Sequence, residues 1–170
     1  MKNPTTFFKY LLFVQVFLFF SACNTGNDEL ENSGYSEHNF TVNAWGDYEE
    51  DFENASKYAY AGGIVNFPDG EWYFEDALIG DLESDAKTSS QSVRMISNAV
   101  ITMNFDLPEG ASSISLQYAK YGRDKQTSFQ VYYSTDSGST WNALGTEITA
   151  KKSFLETASF SLDVTGNIRL

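Results

Sequence analysis

A strand followed by a tight turn, over residues 128–141, is the feature that most constrains how this chain can fold. Phe129, Val131 and Tyr133 recur at every second position, which is the pattern of a half-buried β-strand. The strand runs into the turn formers Asp136-Ser137-Gly138-Ser139-Thr140, which reverse the direction of the chain. The segment therefore predicts a β-hairpin.

The end of this hairpin reads Ser-x-Asp-x-Gly-x-Thr-Trp, with its fixed positions at Ser134, Asp136, Gly138, Thr140 and Trp141. These residues resemble the Asp-box, a stabilised hairpin of sialidase propellers and of many unrelated secreted β-domains. We expect Asp136 to accept hydrogen bonds from the amides of its own turn, Gly138 to supply a positive φ, and Trp141 to pack over the hairpin. The predicted role is structural, because a fold feature of this kind does not by itself carry chemistry.

The first 22 residues have the pattern of a secretory signal peptide. Two lysines accompany an apolar run at residues 10–20, and the sequence Phe20-Ser21-Ala22-Cys23 resembles the lipobox of bacterial lipoproteins. Cys23 is the single cysteine of the chain and has no disulfide partner within it, which lipidation explains. We predict that residues 1–22 are removed and that Cys23 anchors the protein to the outer membrane. The alternative is an ordinary signal peptide with an incidental cysteine.

Residues 23–38 are polar, acidic and nearly free of large apolar side chains, which predicts a flexible tether. Asp28, Glu29 and Glu31 resemble the signal that directs Bacteroidetes lipoproteins to the cell surface; a solvated linker without an addressing role is the alternative. The net charge of −12, about −14 without the signal peptide, argues against direct nucleic-acid binding. His38, the single histidine, lies in this tether, so neither a histidine metal site nor a histidine-dependent triad is expected.

Short β-type segments separated by Gly, Pro, Asp and Ser turns account for the chain from residue 39 to residue 170. No stretch after residue 23 has a helical period, although residues 71–79 fit either a strand or a single helical turn. The pattern predicts one all-β domain, a jelly-roll-like antiparallel β-sandwich. The predicted strands are 40–44, 58–65, 71–79, 92–96, 99–105, 114–119, 129–133, 143–148 and 154–162, and another strand begins at 167–170.

Six short motifs follow one another over most of this domain: Phe52-Glu53, Trp72, Ala77-Leu78-Ile79-Gly80, Ser92-Val93-Arg94, Ala119-Lys120-Tyr121-Gly122 and Tyr133–Trp141. In this order they resemble a family of secreted Bacteroidetes jelly-roll modules, similar to carbohydrate-binding domains, which often lie beside extracellular nucleases, phosphatases and other hydrolases. Members of the family continue into a closing strand that contains Asn-Ile-Asp, whereas this chain stops at Ile168-Arg169-Leu170. The last strand is therefore expected to be absent or supplied differently, which leaves an unpaired edge.

Three aromatic residues beside turns or at outward strand positions are candidates for glycan binding: Trp72, Tyr121 and Tyr132. Sugars stack their C–H faces on exposed rings, while nearby amides and carboxylates fix the hydroxyls. Packing in the core is the alternative for each of them. The family resemblance also implies that Asp51 or Glu53 contributes to a structural calcium site, and the metal content stays open.

The many carboxylates are expected to form a solvated acidic surface rather than a catalytic pair held about 5 Å apart, so no catalytic residue is predicted. We predict a surface-anchored, non-catalytic lipoprotein domain that binds a glycan or a partner protein. One alternative is the N-terminal accessory domain of a secreted hydrolase such as an endonuclease or phosphatase; another is a structural surface protein. The carboxylates in question are Asp47, Glu49, Glu50, Asp51, Glu53, Glu71, Glu75, Asp76, Asp81, Glu83 and Asp85.

Overall fold

The computed structural model describes residues 12–15 and 48–170. Within these two ranges the secondary structure is strand, turn and bend, and no helix is long and apolar enough to cross a membrane. Cys23, the tether with His38, and the predicted strand at 40–44 lie outside the described residues. The strands are β1 Leu12–Gln15, β2 Gly63–Phe67, β3 Gly70–Gly80, β4 Ser92–Met103, β5 Ala111–Lys120, β6 Thr127–Tyr133, β7 Asn142–Ala150 and β8 Glu156–Val164.

The strands form a six-stranded sheet in the order β2-β3-β4-β1-β5-β8 and a separate hairpin, β6-β7. Every pairing is antiparallel. The hairpin packs its apolar face on the larger sheet, where the rings of Phe129 and Tyr118 meet at 5.1 Å between centroids. Alternating side chains of the two layers fill the space between them, as in other sandwiches. The predicted all-β antiparallel sandwich is confirmed.

Strands β3 and β4 are long and bend together in the middle. The pairing passes from Glu75↔Val100 to Ala77↔Met95, so four residues of β4 lie opposite the single residue Asp76. Asp76 has φ 53° and Asn98, in the extra segment, has φ 66°. A bulge of this kind bends the strand and increases its twist. As a result, the two strands predicted at 92–96 and 99–105 form one strand, and residues 71–79 are strand rather than a helical turn.

Strand β1 lies in the middle of the six-stranded sheet. Leu12–Val14 pair with Val93–Met95 of β4, and Leu12–Gln15 pair with Gln117–Lys120 of β5. Because β4 and β5 each bond to β1 and not to each other, the space between them is one strand wide. The sequence predicts that residues 1–22 are removed as a signal peptide outside the domain. In the uncleaved chain, four of these residues supply the central strand.

The ring of Phe52 anchors the segment before β2 to the core. Its side chain is completely buried, and its ring meets the edges of Phe67, Trp72 and Phe74 at centroid distances of 5.5, 5.4 and 6.2 Å. Such edge-to-face pairs stabilise a core beyond the area that they bury. The rest of the core comes mainly from the inward residues of β3, β4 and β5: Ala77, Ile79, Val93, Met95, Met103, Ile114 and Leu116.

The buried carboxyl of Glu50 holds the backbone of Phe52 in place. The N–H of Phe52 donates to Glu50 Oε1 at 2.7 Å, and Phe52 has φ 59°, a left-handed conformation that a bulky residue rarely adopts. Burial raises the pKa of Glu50 from 4.5 to about 7, against the lowering effect of the Phe52 hydrogen bond. The prediction that Glu50 belongs to a solvated acidic surface is therefore wrong, because Glu50 is buried and its environment favours the protonated form.

The unfolding free energy is expected to fall as the pH rises from 4.5 to about 7, because the folded state binds a proton on Glu50 that the unfolded state releases. Glu50→Gln keeps an oxygen acceptor for Phe52 and cannot ionise, so its urea-unfolding midpoint should not show this part of the decline. The exposed neighbour substitution Glu49→Gln is the control and should follow the parent protein. Parallel pH profiles of the parent and Glu50→Gln would contradict the assignment.

Asp85, which was also predicted to lie on the solvated surface, is buried. Its side chain is 0% exposed and receives two hydrogen bonds from Arg94, from Nε at 2.8 Å and from Nη2 at 2.5 Å, and a third from Leu82 N–H at 2.8 Å. The carboxylate lies so close to Gly80 that a Cβ there would be 2.6 Å from Oδ2. The loop at 81–91 is therefore fixed to β4 by a buried, bidentate ion pair.

Candidate binding groove

A large open groove lies between β4 and β6, and we call it the β4–β6 groove. Its volume is about 1020 Å³, and its walls are residues 95–104 and residues 127–132. The apolar side chains that line it include Met95, Ile101, Met103, Ile114, Leu116, Phe129, Val131 and Leu170; the polar ones include Asn98, Thr102, Asn104, Ser128, Gln130, Glu147 and Arg169.

The last residues of the chain enter one end of this groove as a strand between its two walls. Ser134 and Arg169 exchange two backbone hydrogen bonds at 2.8 and 2.9 Å, which joins residue 169 to the end of β6. The next residue, Leu170, accepts a hydrogen bond at 2.7 Å from the N–H of Met103 in β4. Consecutive residues thus bond to opposite walls, as they do in the middle strand of a sheet. The groove is one strand wide at this end.

Beyond this end, the backbone edges of both walls are open within the part of the chain that the structure describes. There, β6 pairs with β7 on one side only, from Thr127 to Tyr133, and the second half of β4 pairs only with β3. Since the N–H of Ser134 points into the groove, the alternation of a strand directs the N–H groups of Tyr132, Gln130 and Ser128 the same way. With respect to the described residues, the groove therefore presents a row of unpaired backbone donors and acceptors, which is a template for another strand.

Exposed aromatic side chains border the groove. Tyr132 is 48% exposed, and Tyr73 and Trp141 are each 39% exposed, together with the apolar side chain of Val100. The hydroxyl of Tyr73 donates to Glu75 Oε2 at 2.6 Å, which raises the pKa of Tyr73. This rim combines large apolar surface with hydroxyl, indole and amide groups, and such surfaces are common in binding sites.

The Asp-box turn closes the end of the hairpin next to the groove. Asp136 Oδ1 accepts hydrogen bonds from Ser134 Oγ at 2.7 Å and from Thr140 N–H at 2.8 Å, while Oδ2 accepts one from Thr140 Oγ1 at 2.7 Å. These bonds, the Thr140 amide first, lower the pKa of Asp136 to about 2. Gly138 has φ 86°, and a Cβ at this position would lie 3.5 Å from the ring of Trp141. The expected hairpin chemistry is present.

Asp106 ties the hairpin turn to the C-terminal strand. Its Oδ2 accepts a hydrogen bond from Ser137 Oγ at 2.5 Å, and its Oδ1 accepts one from Arg169 Nε at 2.8 Å. These contacts lower the pKa of Asp106, with the Ser137 bond as the largest cause. The carboxylate therefore fixes the end of the β4–β6 groove at which Arg169 enters.

The three aromatic residues predicted to bind a glycan lie in different surroundings. Trp72 is 1% exposed, with its indole N–H donating to the Tyr48 hydroxyl at 3.2 Å, so its face is not available for stacking. Tyr121 lies on another part of the surface: its hydroxyl is 2.8 Å from Ser84 Oγ, and the guanidinium of Arg94 lies 5.3 Å from its ring centre. Tyr132 alone combines exposure with a place on the groove. The structure does not bring the three together.

The carboxylates proposed for calcium are engaged with backbone amides. Asp51 Oδ1 accepts a hydrogen bond from Glu53 N–H at 2.9 Å, and Glu53 Oε1 accepts from Ser90 and Gln91 N–H at 2.8 and 2.7 Å. Among residues 12–15 and 48–170, no group of three or more His, Cys, Asp and Glu side chains is arranged to hold a metal ion. Glu53 fixes the 81–91 loop to the segment before β2.

Sequence reasoning missed Tyr73 and Val100, and it predicted an unpaired edge without assigning that edge to β4 or β6. A signal for Tyr73 is present, because Glu71, Tyr73 and Glu75 alternate with the apolar Trp72 and Phe74, which assigns Tyr73 to the outer face. The location of the edges has no such signal, since it depends on which strands pair over long distances in the chain.

Comparison with protein-family models, with curated proteins and with solved structures found no match to this chain.

Proposed function

We propose that this chain is a non-catalytic binding module, attached to the cell surface through a lipid on Cys23, whose β4–β6 groove holds an extended segment of a partner protein. The observation that carries the proposal is the groove itself: it is one strand wide where Leu170 enters, and the backbone of both walls is unpaired among residues 12–15 and 48–170. The lipobox-like Phe20-Ser21-Ala22-Cys23 supports the anchor.

A partner protein suits the groove better than a glycan does. A glycan site uses a few exposed rings with side-chain hydrogen bonds. Of the two predicted stacking residues that line the groove, Tyr132 is exposed and Trp72 is buried. The walls of the groove are instead strand edges with apolar side chains such as Ile101 and Val131 behind them. Protein segments bind such edges through their main chain, and their alternate side chains enter pockets.

The proposal is tested by measuring binding of the full chain to an immobilised library of synthetic peptides and to a glycan array. We expect retention of peptides, and we expect Tyr132→Ala to weaken it about tenfold, which corresponds to about 1.4 kcal/mol at a central aromatic contact. Tyr58→Ala removes a ring that is 82% exposed and outside the groove, and it should have no effect. Glycan binding that depends on Tyr132, with no peptide retained, would overturn the proposal.

A further inference from the structure

We propose that the partner binds by strand addition: an extended peptide lies between β4 and β6, antiparallel to both, in the register in which Arg169 and Leu170 bond to these two walls. This inference rests on the proposed function and specifies the chemistry of the partner. The register follows from two contacts, Arg169 with Ser134 on β6 and Leu170 with Met103 on β4.

Successive peptide residues bond alternately to the two walls. On β6, the N–H and C=O groups that face the groove after Ser134 belong to Tyr132, Gln130 and Ser128. On β4, the next residue after Met103 whose backbone faces the groove is Ile101. The irregularity in the hairpin lies in β7, because Gln130 alone separates Phe129 and Val131 while three residues separate their partners Leu144 and Ile148. Strand β6 itself is regular, so its edge offers evenly placed groups over its whole length.

The same register specifies which side chains the peptide carries. The position level with Ile101 and Val131 lies on the inner face of the sandwich, beside two partly buried side chains of the core. The position before it is level with Thr102 and Tyr132 and lies on the outer face, where Tyr132 is exposed. The preferred peptide therefore alternates apolar residues inside with polar residues outside.

The charge of the protein selects the polar residues of the partner. The chain has a net charge of −12, and the exposed Glu147 lines the groove, whereas Arg169 is already paired with Asp106. Basic side chains at the outer positions complement this surface and speed the encounter, whereas acidic side chains oppose it. The structure thus assigns an extended peptide in which Val- or Ile-like residues alternate with Lys or Arg.

The test uses a synthetic peptide of about eight residues, long enough to span β6, in which valine and lysine alternate. Calorimetry with the full chain should give saturable binding, and a peptide of the same composition with its valines grouped together should bind at least about tenfold more weakly. A third peptide carries N-methyl groups on alternate amides, which removes main-chain donors and keeps every side chain. It should also lose at least about tenfold in affinity.

A variant of the protein tests the same edge from the other side. Ser128→Pro removes the amide donor of residue 128 from the groove, and edge strands tolerate proline where the N–H is not in the ladder. Thr149→Ala is the control, because Thr149 lies on β7 outside the groove and its substitution removes the same hydroxyl contact, between Thr149 Oγ1 and Ser128 Oγ at 3.2 Å, while the amide of residue 128 stays in place. We expect Ser128→Pro to weaken peptide binding and Thr149→Ala to leave it unchanged.

Hydrogen exchange of the backbone amides, together with the N-methylated peptide, distinguishes failure of the strand-addition proposal from failure of the proposed function. On peptide binding, the amides of Tyr132, Gln130 and Ser128 should become protected. If peptides bind equally well with N-methylated amides, the module binds proteins but not by strand addition, and only the strand-addition proposal is overturned. If no peptide binds, the proposed function fails as well. Protection of the three amides in the free full chain would show that its own backbone fills the groove, and this too overturns the inference.

Discussion

Replacing Asp85 with alanine is expected to lower the free energy of unfolding by about 3–5 kcal/mol, because it leaves the guanidinium of Arg94 largely buried without its counter-charge. The side chain of Arg94 is 13% exposed, and that of Asp85 is 0% exposed. The same substitution removes the acceptor of the Leu82 amide, so the 81–91 loop loses its attachment to β4. Urea unfolding at neutral pH measures the change.

The control for this experiment is Asp81→Ala, which removes an exposed carboxylate from the same loop and should change the unfolding free energy by less than about 0.5 kcal/mol. Arg94→Met in the Asp85→Ala background removes the stranded charge, so the double variant should be more stable than Asp85→Ala alone. Equal stability of Asp85→Ala and Asp81→Ala would show that the ion pair does not hold the loop.

Phe52→Ala is expected to lower the free energy of unfolding by about 3–5 kcal/mol, the usual cost of removing a buried aromatic ring and leaving a cavity. The ring of Phe52 contacts Phe67, Trp72 and Phe74, so the cavity opens in the centre of the core. Because a domain of this size is stable by only about 5–15 kcal/mol, a large share of the stability is lost.

Thermal and chemical unfolding of Phe52→Ala should both show the loss, and Tyr58→Ala, at a ring that is 82% exposed, should not. Phe52→Leu refills most of the cavity and should recover part of the stability. Equal destabilisation by alanine and leucine at position 52 would show that the cavity does not determine the loss.

Local patterns were sufficient to predict the hairpin and most strands. The turn at 134–141 is held by hydrogen bonds between residues that are two to four positions apart in the chain. The roles of Ser134, Asp136 and Gly138 in this turn are therefore predictable from the sequence. The sequence incorrectly predicts two strands in place of β4, because Ser97 and Asn98 have the composition of a turn. In the structure they form a bulge, and the ladder with β3 continues on both sides of it.

The candidate site could be predicted only in part, because it depends on pairings between distant residues. The regular alternation of β6 correctly predicts that Tyr132 lies on the outer face. The prediction that Trp72 is a stacking residue is wrong, because Trp72 is buried in the core. The prediction that Asp85 and Glu50 lie on a solvated surface is also wrong. Charge density alone does not distinguish an exposed carboxylate from one that an arginine or a backbone amide holds in the interior.

The central position of β1 bears on the predicted removal of residues 1–22. The residues that pair with Val93–Met95 and Gln117–Lys120 are among those that signal peptidase is predicted to remove. If they are removed, the edges of β4 and β5 that face β1 lose their backbone partner, and a gap one strand wide opens between them. Ser92 Oγ and Gln117 Oε1, both buried without a hydrogen-bond partner among the described residues, lie beside this gap. A processed chain would therefore have a different sheet from the uncleaved chain, because it would lack this middle strand.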